Sequence, residues 1–79
     1  MDAREFKATL QMLVPMVVSA IGRRSGLSDD EVIPRLYASR LYADLEREET
    51  KLWHLSPCAL ADLWDEEQRT GRISYPEEA

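Results

Sequence analysis

Between Leu10 and Ile21 only Gln11 and Ser19 are clearly polar, and no other stretch limits the fold of this chain so strongly. An apolar run of about 10–14 residues is too short for a membrane span, which needs about 20, and reads instead as a buried helix. Phe6, Leu10, Leu13, Val14, Val17 and Ile21 recur at helical spacing and form one stripe. Met12, Met16 and Val18 widen that stripe beyond what a single packed face requires. A helix apolar around most of its circumference must be buried on more than one side. The rest of the chain offers only two or three short helices to cover it. Met12, Met16 and Val18 are therefore expected to form an interaction surface, covered by a second copy in a homodimer or by another protein.

The ends of this helix are marked as well. Asp2 followed by Glu5 reads as a capping box, and Arg23 and Arg24 complement the dipole before Gly26 stops the helix, giving a helix from about 3 to 23. Pro15 removes the bond to the carbonyl of Gln11, so a kink or a break is expected there. Arg4 and Lys7 ahead of the run, and Val18-Ser19-Ala20 within it, imitate a secretion signal. Asp2, Glu5 and Pro15 argue against one, and the core-helix reading is preferred.

A second start follows at once. Ser28 and Glu31 form a capping box, Leu27 and Val32 a hydrophobic staple, and Asp29 and Asp30 suit the positive end of the dipole. Ile33, Leu36, Tyr37, Leu41 and Leu45 continue on one face to about Arg47, in one helix or in two divided at Ser39. A third start is Ser56-Pro57, an N-cap followed by proline where its missing N–H costs nothing. Leu60, Leu63 and Trp64 form the apolar face of that helix, with Trp53 as its lid, and Gly71 ends it. Residues 28–71 are thus a helical hairpin region. Arg72 to Pro76 alternates as a short extended segment within a tail over 72–79.

Glycine is scarce and asparagine absent, so hairpin turns have almost no material. The expected fold class is all-α: one domain of three or four short helices in a small bundle, with a short extended C-terminal tail. A chain of 79 residues buries only roughly 60–65% of its unfolded surface, which makes good packing or a partner important. The expected core is Phe6, Leu10, Leu13, Val17, Ile21, Ile33, Leu36, Leu41, Leu45, Trp53, Leu60, Leu63 and Trp64.

Chemistry-bearing residues are few. A single cysteine excludes an internal disulfide and fits a reducing cytoplasm, the expected location. His54 and Cys58 are separated by the Ser56-Pro57 cap, which argues against a nucleophilic pair on one helix. Asp62, Asp65, Glu66 and Glu67 read as a solvated face, with Asp65 near Arg69. No enzyme activity, metal or cofactor is expected. Residues 1–43 carry six basic and five acidic groups, and residues 44–79 four and ten, for a net charge of −5. An anionic partner would meet the first half, and Arg23, Arg24, Arg35 and Arg40 are the candidate nucleic-acid contacts. Asp29, Asp30 and Glu31 would meet phosphate first, so nucleic acid is the less favoured partner.

Leu41-Tyr42, Leu45, Glu49 to Trp53, Ser56-Pro57, Leu60, Glu67, Gly71 and Tyr75-Pro76 together resemble a group of short bacterial proteins that carry a domain of unknown function. Some of these resemble small partners encoded beside toxin-like genes. The resemblance covers roughly residues 28–76 and brings no catalytic residues. It implies a small bacterial helical protein, an antitoxin or an accessory subunit. The leading expectation is a non-catalytic protein–protein interaction module; a small DNA-binding or antitoxin-type transcription regulator is the alternative.

Overall fold

The computed structural model describes residues 2–74, and within them the chain forms four α-helices and two 3-10 turns. Helix α1 spans Ala3–Ser25, α2 Asp29–Tyr37, α3 Arg40–Leu45 and α4 Pro57–Thr70; the 3-10 turns cover Glu48–Thr50 and Leu52–His54. The all-α expectation is met. Arg72 to Ser74 have no regular structure, and the rest of the expected tail, including Tyr75 and Pro76, lies outside the described residues.

Each helix starts where a side chain can take up an orphan N–H. Asp2 accepts from the Glu5 amide at 2.8 Å, Ser39 from Tyr42 at 3.1 Å and Ser56 from Ala59 at 3.1 Å. At Ser28 the box is reciprocal: Glu31 N–H donates to the serine hydroxyl, and the Glu31 carboxylate accepts from Ser28 N–H. Gly26 and Gly71 end α1 and α4 in the left-handed region, with φ of 77° and 75°.

Pro15 does not break α1. It is exposed, so the bond it lacks falls on the solvent side, where water can serve the Gln11 carbonyl. Residues 28–48 are two helices, because Ser39 is buried and caps α3 as a fresh start. The connector between α3 and α4, which holds both 3-10 turns, carries Lys51 at φ 57°, the only non-glycine residue in the left-handed region among the described residues.

The core forms where α2, α4 and the second 3-10 turn pack along α1, with α3 set against α2 and α4. Val17, Ile21, Val32, Leu36, Leu41, Leu45 and Leu60 are fully buried in it. Two expectations need correction. Val18, assigned to an interaction surface, is only 5% exposed and belongs to the core. It stands one turn after Val14 on the flank of α1 that faces α2, and α2 covers that flank. Ile33, assigned to the core, is 38% exposed, because Val32 and Leu36, one turn apart, take the inward side of the short α2. Phe6 and Trp53 are half-buried at the margin, their rings edge to face with centroids 6.2 Å apart.

Candidate interaction surface

At about 100° of rotation per residue, the buried positions Leu13, Val14, Val17, Val18, Ala20 and Ile21 occupy one half of the α1 circumference. Met12, Pro15, Met16 and Ser19 lie on the other half, and all four are exposed. Met12 is 74% and Met16 56% exposed, far beyond what a core role would leave. Helix propensity is satisfied at these positions by any unbranched side chain, so the apolar choice there is not needed for the helix itself.

The ridge has a groove on each side. One is lined by Pro15, Val18, Ser19, Ile33 and Tyr37, which joins the exposed Ile33 and Tyr37 of α2 to the α1 face. Tyr37 leans against Tyr42, ring centroids 4.6 Å apart, and these two rings wall a further groove against Leu10, Val14 and Pro15. On the other side Met16, Ser19 and Arg23 face Pro57 and Cys58 at the start of α4. Among the described residues, the large exposed hydrophobic side chains Met12, Met16, Ile33 and Tyr37 therefore lie on or beside one ridge. The sequence pointed to Met12 and Met16; Ile33 and Tyr37 were hidden by their fit to the α2 period.

The candidate nucleic-acid residues fare differently. Arg24 reaches across to α4, where its guanidinium bonds the carboxylates of Asp62 and Asp65 and donates to the Cys58 carbonyl at 3.1 Å. Bonding to Asp62 first, and then to Asp65, holds its pKa above the usual arginine value. That charge is neutralised within the fold. Arg23, Arg35 and Arg40 are exposed, but Arg40 stands beside Glu67, which accepts its backbone N–H, and Arg35 follows the acidic first turn of α2.

The acidic face of α4 is thus not simply solvated. Asp62 and Asp65 tie α4 to α1, and Glu67 accepts from the N–H groups of Arg40 and Leu41 at 2.9 and 3.1 Å. Among the described residues no group of three or more His, Cys, Asp or Glu side chains is placed to hold a metal ion, and no helix is long and apolar enough to cross a membrane. His54 stacks on Trp53 with centroids 3.9 Å apart, in the 3-10 turn before the Ser56 cap, while Cys58 is exposed in the first turn of α4. Comparison with protein-family models, with curated proteins and with solved structures matches this chain to none of them.

Proposed function

We propose that this protein is a non-catalytic interaction module that presents the outer face of α1 to another polypeptide. One observation carries this reading: Met12, Pro15 and Met16 form an exposed apolar ridge on a helix whose opposite side already supplies the core. Methionine is flexible and polarisable, and adapts to a contact surface at low cost. The charge pattern speaks for protein rather than nucleic acid. Arg24 is consumed within the fold, and the net charge of −5 opposes the phosphate neutralisation on which non-specific DNA binding rests. Random duplex DNA is accordingly not expected to bind at physiological salt, and salt-sensitive micromolar binding in a mobility-shift experiment would revive the regulator reading.

The direct test is a photo-crosslinking amino acid at Met16, with the same group at Asp30 as control. Adducts to a polypeptide, the protein's own chain or another, are expected from Met16 and not from Asp30. If Met16 gives no adduct in cells that produce the protein, the ridge is not a docking face and the reading fails.

A further inference from the structure

The exposed face of α1 carries a pattern that the core does not require. Glu5, Thr9, Met12, Met16, Ser19 and Arg23 follow one another at intervals of four, three, four, three and four residues. Alternating four and three is the 3.5-residue repeat of a helix-pairing seam. At about 100° per residue the six positions fall within roughly 80° of arc, on the side of α1 away from Val14, Val17 and Ile21. All are exposed except Thr9, which is half-buried and donates its hydroxyl to the Glu5 carbonyl.

Read backwards, the seam is the same. The intervals are unchanged, and each position meets a chemical counterpart: acid with base at the ends, hydroxyl with hydroxyl next, methionine with methionine in the middle. A two-fold axis demands this property, because in such an interface residue i meets residue j while j meets i. We propose that two copies of this chain pair antiparallel through α1 about an axis at the level of Val14. Glu5 then faces Arg23 of the partner subunit, and Met12 faces Met16 of the partner subunit. The inference rests on the docking face assigned above and adds its occupant, orientation and register.

The charges select this arrangement over its rivals. In-register parallel pairing would set Glu5 against its own copy and Arg23 against its own, with repulsion at both ends. Antiparallel pairing turns both into attractions. Among the described residues neither Glu5 nor Arg23 is engaged in the ion pairs, which join Arg24 to Asp62 and Asp65 and Arg47 to Glu49. α1 continues unbroken through Pro15, which lies on the flank of the seam and leaves its period intact.

Sedimentation equilibrium on the full chain, with Cys58 kept reduced, tests the proposal by charge reversal. The parent protein should be dimeric at high micromolar concentration. Glu5→Arg and Arg23→Glu should each weaken the dimer by about tenfold or more, as like charges then meet at both ends. An equimolar mixture of the two variants should recover the dimer, because opposite charges face each other again in the mixed pair. This recovery also shows that neither variant fails merely by unfolding. A dimer indifferent to both reversals overturns the antiparallel register while leaving the docking face standing. A parent protein that stays monomeric overturns the proposal outright, and the docking face is then judged by its cross-links to other polypeptides alone.

Discussion

The carboxylate of Glu67, near the end of α4, accepts the backbone N–H of Arg40, the first residue of α3, and with its other oxygen that of Leu41. Helix α3 has only six residues, too few to persist in isolation. Its first amides are satisfied jointly by Glu67 from across the bundle and by its own cap, Ser39. A cap delivered by a distant helix joins local order to tertiary packing.

Replacing Glu67 by alanine leaves two amides of α3 without a protein acceptor and should cost about 1–3 kcal/mol. Glu67→Gln keeps one acceptor oxygen and should cost less. Urea unfolding midpoints rank the three proteins, and equal midpoints would mean that solvent serves those amides as well as the carboxylate does.

Arg24→Ala should lower the unfolding midpoint by separating α1 from Asp62 and Asp65. These groups are exposed enough for salt to screen them, so the difference between parent and variant should shrink as salt rises. A deficit that persists in molar salt would point to lost packing by the arginine stem instead.

Three substitutions probe α4. Trp64 is 5% exposed, and Trp64→Ala should cost about 3–5 kcal/mol. Its indole N–H is buried with no acceptor among the described residues, so Trp64→Phe removes an orphan donor along with some volume. That change should cost well under half as much. Ser56→Ala, which removes the acceptor for Ala59 N–H, should cost about 1 kcal/mol. Thermal or urea unfolding measures all three, and an unaltered midpoint for Trp64→Ala would be incompatible with its core position.

Alkaline pH should weaken the fold through Tyr42. Burial first, then the negative charge of Glu46 and the neighbouring Tyr37, raise its phenol above the ordinary tyrosine value. The folded protein therefore holds that proton more tightly than the unfolded chain does. The resulting stability is fully present below about pH 10 and is lost as pH rises through the raised folded value. Tyr42→Phe should flatten this loss. A decline between pH 9 and 11 equal to that of the parent protein would assign it to other groups.

The helices were legible because their signals are local. Ser28 and Ser56 each meet an amide three residues ahead, so type and spacing suffice; Ser39 caps α3 in the same way, but the apolar period runs on through it, which left one helix or two open. The ties between helices were not. Glu67 and Arg24 act on partners 26 to 41 residues away, and no local pattern separates such a carboxylate from a solvated one. Val18 shows the same limit on the candidate face. Its period placed it on the margin of the α1 stripe, but which margin α2 covers depends on the turn at Gly26, a tertiary fact. Met12 and Met16 were legible because they lie far from both margins, opposite the core.

The edge-to-face contact between Trp53 and Phe6 gives the chain a built-in optical label. Trp53 stands half-exposed in the connector, its indole donating to the Glu48 carbonyl at 3.0 Å, while Trp64 is buried inside the bundle. The two indoles therefore emit from unlike surroundings, one reporting the docking of the connector on the first turn of α1, the other the integrity of the interior. In a Trp64→Phe background, fluorescence follows the connector alone. If that signal melts before the far-ultraviolet dichroism does, the connector opens as a unit of its own while the helices stay folded.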